Sequence, residues 1–224
     1  MKAAIIIMCK APNPGAVKTR LTAFLSPENA ADLAVCFAID TTQKAQTVCE
    51  NTIIAVAGDK NLLAENLSEN LILIEQRGTD LGERMHNALS FAFLQNFSPL
   101  VVIGTDSPTL PAEFIEYAIE ILSKKHADAV LGAAEDGGYY LIGLNEPNLQ
   151  IFQHVTWSTS ETFAETRRNI EQANLRLAVL PVWCDVDTPE DLRRLKTEIE
   201  NDSRSRNSAR TTAAWFEKNA RLFF

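Results

Sequence analysis

An aspartate stands where one of the most apolar segments of the chain gives way to turn-forming residues. Asp106 belongs to the sequence GTDSP at residues 104–108, which directly follows the apolar run of residues 100–103. A carboxylate at the end of a buried strand is well placed to hold a divalent cation, Mg²⁺ or Mn²⁺, against a phosphorylated ligand. A capped turn explains the same residues, because Asp and Ser bond to local backbone and Pro ends a strand.

A loop that could bind phosphate follows the first apolar run of the chain. Residues 10–21 read KAPNPGAVKTRL, in which Pro14 and Gly15 help to stiffen the turn. In an open parallel sheet, ligands bind at the carboxyl ends of the strands. The loop gathers three cations within a short stretch of an acidic protein, and they are Lys10, Lys18 and Arg20. Phosphate is the ligand that this charge favours, and a solvated turn is the alternative.

Two standard nucleotide-binding motifs do not fit this loop. The P-loop requires glycine directly before its lysine, and Val17 occupies that position. The three spaced glycines of the dinucleotide-binding fingerprint do not occur here either.

Two further loops could contact a ligand. Residues 77–84 follow a predicted strand and open a helix whose amides could meet an anion or a base edge, with Arg77, Asp80 and Gly82 as the candidate residues. Asp80 is equally well explained as the N-cap of that helix. Residues 135–140 contain a pair of glycines that permits close approach of a ligand, Gly137 and Gly138.

The residue before this glycine pair, Asp136, is a candidate for orienting an acceptor hydroxyl or acting as a general base. A tight hairpin turn is the competing explanation, since Asp-Gly is the commonest sequence for one.

A pair of acids follows the last apolar run. Asp185 and Asp187 alternate along the chain, so they point to the same side of an extended backbone. Together with Asp106 they could complete an oxygen-rich site for Mg²⁺ or Mn²⁺. The alternative is that these acids only precede and stabilise the N-terminus of a helix opened by Thr188.

Composition limits the class of protein. The chain has 224 residues, a net charge of -8 and 46% hydrophobic residues, which suits one medium-sized globular domain. The negative charge argues against nucleic-acid binding, which needs a basic face. The four cysteines are scattered, so neither a zinc knuckle nor a redox motif is predicted.

Short apolar runs alternate with segments of helical period, which predicts a mostly parallel sheet with helices on both faces. The predicted strands are residues 3–9, 52–57, 71–75, 100–103, 129–132, 139–144 and 176–182. The predicted helices are residues 27–48 with Ser26 as N-cap, 80–93, 111–122, 158–172 with Ser158 and Glu161 as a cap pair, and one that begins at Thr188.

Both ends of the chain need an interpretation. The apolar run near the N-terminus is too short for a secretory core or a membrane span, so we expect a cytoplasmic protein that begins with a strand. Residues 201–212 are polar and predict a solvated linker. The apolar segment beyond it, residues 213–224, either docks on its own domain or contacts a second subunit, giving a homodimer, or a membrane surface.

The four loops, in this order, resemble a bacterial family of glycosyltransferase-A-like proteins, DUF2064. The resemblance rests on residues 10–21, residues 77–84, residues 104–108 with 136–143, and residues 185–192, and it covers about residues 2–200. Proteins of this kind are described as nucleotide-diphospho-sugar transferases and are similar to molybdenum-cofactor and phospholactate guanylyltransferases. The resemblance implies one Rossmann-like, three-layer α/β/α sandwich of the GT-A type over residues 1–200.

The resemblance also implies roles for individual residues. Those that match the nucleotide-phosphate loop are Lys10, Gly15, Lys18 and Arg20. Asp106 matches the metal-binding acid, and Asp187 matches the second metal-binding position. Many glycosyltransferases of this fold have two acids separated by one residue at the first position, whereas here Ser107 and Pro108 follow a single acid, as in the nucleotidyltransferase branch.

The expected function is therefore a metal-dependent glycosyltransferase that takes a nucleotide-diphospho-sugar and a small-molecule or peptide acceptor. One alternative is a nucleotidylyltransferase that uses a nucleoside triphosphate. A second alternative is a nucleotide-sugar binding module without activity, because fold alone does not establish function.

Overall fold

The computed structural model describes residues 2–67 and 71–223. Its strands are β1 (Lys2–Lys10), β2 (Thr52–Ala57), β3 (Ile72–Glu75), β4 (Phe97–Gly104), β5 (Ala129–Ala134), β6 (Tyr139–Leu144) and β7 (Leu177–Trp183). They form one sheet with the order β3-β2-β1-β4-β6-β5-β7. The seven predicted strands are thus confirmed, with ends that differ from the prediction by up to three residues.

The sheet is mostly parallel, as predicted. β1 lies between β2 and β4 and is parallel to both, while β6 runs antiparallel to its neighbours β4 and β5. β6 is the one reversed strand among the described residues, since β3 and β7 pair parallel to their neighbours. Six strands therefore present their carboxyl ends at one edge of the sheet, where the candidate loops lie.

Helices cover both faces of this sheet, which confirms the three-layer sandwich. The helices are α1 (Pro27–Val48), α2 (Asn61–Ala64), α3 (Leu81–Leu94), α4 (Ala112–Ser123), α5 (Thr162–Gln172), α6 (Pro189–Asn201), α7 (Ser203–Ser208) and α8 (Arg210–Lys218). On β1, Ile5 and Ile7 pack toward α1 and α4, whereas Ala4 and Ile6 pack toward α3 and α5. Alternate strand residues fill the two cores because successive side chains point to opposite faces.

Three helices, α1, α3 and α6, begin at the predicted capping residues Ser26, Asp80 and Thr188. The hydroxyl of Ser26 accepts a hydrogen bond from the Asn29 amide at the start of α1. Thr188 and Asp191 form a reciprocal capping box at the start of α6. Such caps satisfy amides that have no partner within the helix.

The predicted cap at Ser158 is wrong. Ser158 has a left-handed backbone with φ 62°, and α5 begins only at Thr162. The hydroxyl of Thr162 donates to the carbonyls of Thr156 and Thr159, so residues 156–161 form their own turn before the helix.

The predicted linker at residues 201–212 is also wrong, because this segment contains α7 and the start of α8. Asp202 caps α7 by accepting from the Ser205 amide. The carboxylate of Asp40, on α1, accepts hydrogen bonds from the backbone of Thr211 and Thr212 at the start of α8. Partners elsewhere in the chain therefore hold a polar segment in helical form.

The apolar residues after this segment pack on their own chain. Trp215 and Phe216 are buried against Leu33 and Phe37 of α1 and Leu195 of α6. The docking alternative is thereby observed for these side chains, while Phe224 lies outside the described residues. Within residues 2–67 and 71–223, none of the helices combines the length and apolar character that crossing a lipid bilayer requires.

Candidate functional site

A cavity of about 660 Å³ opens at the carboxyl edge of the sheet. The registers of β1 and β4 place Met8 opposite Gly104, so the loops that follow these strands begin side by side. The cavity is lined by seven of the predicted site residues: Lys10, Lys18, Arg20, Asp106, Asp136, Gly138 and Asp187.

Lys18 lies at the centre of the polar part of this cavity. Its ammonium nitrogen is 2.6 Å from Asp106 Oδ1 and 3.2 Å from Asp187 Oδ1, and it donates a 2.7 Å hydrogen bond to the Val186 carbonyl. The side chain is only 7% exposed. One buried cation therefore links the loop after β4 with the loop after β7.

The local sequence explains how Lys18 reaches this position. Gly15 has φ 80° and turns the loop, and Lys18 itself adopts the left-handed conformation with φ 47°. A short 3-10 helix, Thr19–Ala23, follows at once, and its Leu21 is fully buried. Pro14 and Gly15 shape the loop and lie outside the cavity lining, and their predicted contact with a ligand stays a prediction.

The charge state of Lys18 follows from two opposing effects. Burial favours the neutral amine, but the carboxylates of Asp106 and Asp187 outweigh burial and raise the pKa of Lys18 above its ordinary value. The side chain is therefore a permanent cation within the cavity.

Asp187 also interacts with a second cation. Arg20 Nη1 lies 3.4 Å from Asp187 Oδ2 and is 69% exposed, so it can turn toward a bound ligand. The Val186 amide donates to the Asp106 carbonyl at 2.9 Å, which joins the two acidic loops through their backbones.

A further carboxylate, Asp185, faces the same cavity. Burial, together with the negative charges of Asp136, Asp187 and Asp106, raises the pKa of Asp185 to about 6. Four carboxylates thus line the cavity around the buried ammonium group of Lys18, and Lys10, Arg20 and Arg84 line it as well.

These carboxylates have the chemistry that a hard divalent cation requires. Among residues 2–67 and 71–223, no set of three His, Cys, Asp or Glu side chains is arranged to hold a metal on its own. Mg²⁺ typically binds through one or two carboxylates and completes its shell with water and substrate phosphates. The neighbouring carboxylates of Asp106, Asp185 and Asp187 fit a cation that arrives with a phosphorylated ligand.

Asp136 lies in the tight turn between β5 and β6. Its Oδ1 accepts a 2.8 Å hydrogen bond from the Gly138 amide, and both residues line the cavity. The hairpin and the site are therefore the same feature. Gly137 is different, because a Cβ at this residue would lie 2.3 Å from the Ser160 carbonyl oxygen. This glycine lets the turn pack against the following loop and does not line the cavity.

The loop before α3 differs most from the prediction. Asp80 is the N-cap of α3, accepting from the Glu83 amide, while Glu83 bonds to Thr79. A Cβ on Gly82 would lie 2.6 Å from the Trp157 ring, so this glycine permits packing. The residues predicted here as ligand contacts, Arg77, Asp80 and Gly82, lie outside the cavity lining.

Sequence reasoning missed most of the apolar end of the cavity. That end includes Leu81 and Met85 of α3, Tyr139 of β6, and Trp157. Tyr139 and Trp157 form an edge-to-face pair with ring centroids 6.4 Å apart. These residues resemble ordinary core residues in sequence.

Gln76 was also missed. It directly follows β3, and its amide nitrogen donates to the carbonyls of Cys9 and Ala55. Its position directly after a strand was the one sequence feature that could have identified it as a residue of the site.

Comparisons with known proteins agree with this architecture. Residues 38–159 match the profile of a family described as an uncharacterized protein conserved in bacteria, DUF2064. A crystal structure from Desulfovibrio desulfuricans, of a protein provisionally named a nucleotide-diphospho-sugar transferase, is 33% identical in sequence. It covers 99% of this chain and 97% of its own, with a TM-score of 0.90. No curated protein matches the sequence at a significant level.

Two more distant structures share the fold alone. A cytidylyltransferase from Leptospira borgpetersenii is 14% identical and covers 99% of this chain and 96% of its own, with a TM-score of 0.60. A synthetase of CMP:2-keto-3-deoxy-manno-octonic acid, in complex with CTP, is 12% identical. It covers 89% of this chain and 99% of its own, with a TM-score of 0.57.

Proposed function

This chain belongs to the bacterial DUF2064 family, and from that premise we propose that it is a transferase that uses a nucleotide-activated donor, namely a nucleotide-diphospho-sugar. The relative from Desulfovibrio desulfuricans carries the provisional name of such a transferase. At 33% identity over 99% of the chain, that relative supports the choice of donor.

One observation carries the proposal. Lys18 lies between Asp106 and Asp187 at the carboxyl edge of the sheet, inside a cavity of about 660 Å³. Ligand cavities typically measure roughly 300–1,000 Å³, so a nucleotide sugar is of suitable size. A cation flanked by acids at this edge is an arrangement that can bind a diphosphate together with a divalent metal.

The proposed roles follow from charge and exposure. Lys18 and Arg20 would pair with the diphosphate oxygens, and Lys10 at the mouth of the cavity would attract the anion. Breaking the bond to the sugar builds negative charge on the leaving diphosphate, and fixed cations offset that charge. Removing one such group costs on the order of a hundredfold in rate.

Asp106 and Asp187 would hold Mg²⁺ or Mn²⁺. A bound divalent cation would supply further neutralisation of the diphosphate charge. Asp185 would add to the negative potential that attracts the cation.

Asp136 is the proposed contact for a small-molecule or peptide acceptor. Its Oδ1 is occupied by the Gly138 amide, whereas Oδ2 makes no hydrogen bond to any residue in the described ranges 2–67 and 71–223. A carboxylate oxygen in this position can accept the proton of an acceptor hydroxyl.

Nucleotidyl transfer from a nucleoside triphosphate is the second candidate. The observation that favours it is the loop after β4, where Asp106 is followed by Ser107 and Pro108 rather than by a second acid. An incoming phosphate is already ionised, so this reaction does not need Asp136 as a base. The fold is also shared with the cytidylyltransferase described above.

A ligand panel tests the proposal. Thermal stability would be measured with nucleoside diphosphates, triphosphates and nucleotide sugars, each with and without Mg²⁺ or Mn²⁺. We expect metal-dependent stabilisation by one diphosphate and its sugar conjugate, and loss of that stabilisation in Asp106→Ala. A preference for a triphosphate would select nucleotidyl transfer. Binding without metal and without turnover would identify a binding module, and an undiminished shift in Asp106→Ala would disprove the site.

A further inference from the structure

A lysine outside the cavity is buried beneath the loop that carries Asp106. Lys44, on α1, is 7% exposed, and its ammonium group donates a 2.6 Å hydrogen bond to the Pro108 carbonyl. Among the residues that the structure describes, no carboxylate lies within 4.0 Å of this nitrogen. The direct contact of the charged group is thus a backbone carbonyl two residues from Asp106.

Burial of the Lys44 ammonium group carries a desolvation penalty. Desolvation lowers the pKa of Lys44 to about 8, although the charges of Asp40 and Glu198 act in the opposite direction. An apolar side chain of similar length avoids this desolvation penalty, and replacing buried charges by well-packed apolar residues is often neutral or stabilising. The stability of the fold therefore does not by itself explain a lysine at this position.

The contact that Lys44 makes belongs to a chain of bonds around the proposed metal acids. The Pro108 carbonyl accepts a hydrogen bond from Lys44. The Asp106 carbonyl accepts one from the Val186 amide at 2.9 Å. Val186 in turn accepts from Lys18, which pairs with Asp106 and Asp187. Ser107, between the two anchored residues, is buried as well.

We propose that Lys44 is a positioning residue: its ammonium group fixes the Pro108 carbonyl and so sets the backbone from which Asp106 faces Lys18 and Asp187. The part of this inference that concerns ligand binding rests on the proposed function. The part that concerns the loop itself depends only on the contacts between Lys44, Pro108 and the backbone of Asp106.

Lys44→Met tests both parts in the full-length protein. Methionine keeps the length and apolar character of the stem but removes the donor. Hydrogen exchange would be followed at two amides that report on the loop, those of Leu110, bonded to Ser107, and Val186, bonded to Asp106. Binding would be measured with Mn²⁺ and inorganic pyrophosphate, a probe for the charges of a diphosphate.

We expect exchange at these two amides to rise at least about fivefold, and affinity for the Mn²⁺–pyrophosphate pair to fall at least about tenfold. Ile170→Val, at a buried residue of α5 in the core on the other face of the sheet, is the control for a general loss of stability. In this control, exchange at the two amides should change no more than the change in global unfolding explains. The affinity for the Mn²⁺–pyrophosphate pair should equal that of the wild type. Unchanged exchange and affinity in folded Lys44→Met would overturn the inference.

Two further results are informative. If Lys44→Met does not fold, Lys44→Gln replaces it, because glutamine is polar but one atom too short to reach Pro108, and the same outcomes apply. If the wild-type protein does not bind the pyrophosphate probe, the proposed function loses support, while the exchange measurement still decides whether Lys44 holds the loop.

Discussion

The ammonium nitrogen of Lys18 lies 2.6 Å from a carboxylate oxygen of Asp106, and each residue belongs to a loop that follows one of two adjacent parallel strands. The pair is asymmetric in exposure, since the lysine side chain is 7% exposed and the aspartate side chain is 52% exposed. Lys18 is thus fixed by the protein, while Asp106 keeps an open side for a ligand.

Replacing Lys18 by methionine should weaken donor binding strongly. The change leaves Asp106 and Asp187 without their shared cation, and it removes a fixed positive charge for the diphosphate. We expect affinity for the best ligand of the panel to fall by about ten- to a hundredfold, because a hydrogen bond to a charged group contributes about 1.5–3 kcal/mol. Titration calorimetry would measure it. Arg20→Met, at an exposed residue, should have a smaller effect, and equal losses in both variants would contradict the central role of Lys18.

Asp136→Asn separates the two candidate reactions. The asparagine oxygen can still accept from the Gly138 amide, so the turn is preserved. Loss of a general base lowers kcat by roughly 10²–10⁴-fold with little change in donor affinity. That result is expected for sugar transfer, and a loss below about tenfold indicates positioning alone. Glu135→Gln, in the same turn, removes only the partly exposed ion pair with Arg194 and should retain activity.

Gly82→Ala should destabilise the fold although alanine is the better helix former. The helical preference for alanine is about 1 kcal/mol. The added methyl group, however, would lie 2.6 Å from the Trp157 ring and 2.9 Å from Phe152 Cβ. We expect a net loss of about 1–3 kcal/mol in the free energy of unfolding, measured by urea denaturation. Gly104→Ala, where the nearest atom is 4.0 Å away, is the matched control and should change stability by less than about 1 kcal/mol.

Asp40→Ala should detach the start of α8. The buried carboxylate accepts from the Thr211 amide, the Thr212 amide and the Thr212 hydroxyl, all within 2.8 Å. Losing these bonds leaves buried donors without partners, so we expect a loss of about 2–4 kcal/mol in the free energy of unfolding. Asp32→Ala, at an exposed residue of α1, should be nearly neutral. Similar stabilities of the two variants would argue against the capping role of Asp40.

The ion pair between Asp128 and Arg176 should make stability depend on pH in the acid range. The hydrogen bonds and charge of Arg176 lower the pKa of Asp128 from 3.8 to about 2. The contribution of this carboxylate is therefore present above about pH 4 and is lost as the pH falls toward about 2. Because the side chains are partly exposed, it amounts to at most about 1 kcal/mol. Urea denaturation of wild type and Asp128→Asn should show a difference in stability that shrinks in this range.

The sequence was sufficient for the central strands of the sheet because they are buried on both faces. A run such as that of β1 is apolar throughout, and its ends are marked by Lys2 and Lys10. The position of Asp106 after such a run also predicted its place at the carboxyl edge. Helix starts were predictable where a side chain caps the helix locally, as at Ser26 and Thr188.

Features that depend on distant partners could not be predicted in this way. Residues 201–212 are polar, and the helical start of α8 within them depends on partners outside the segment, the carboxylate of Asp40 and the packing of Trp215. Gly82 has the appearance of a ligand-binding glycine, but an aromatic ring from another loop determines its role. Lys44 looks like a surface charge on α1 until the loop after β4 is placed over it.

The bond between Asp40 and α8 has a consequence for the order of events during synthesis. α1 leaves the ribosome early, and domains form in the order in which their partners emerge. Asp40 obtains the amides of Thr211 and Thr212 only after nearly the whole described chain has been translated. Until then, the Asp40 carboxylate can bond only to water, so the docking of α8 on α1 must be among the last contacts that the chain forms.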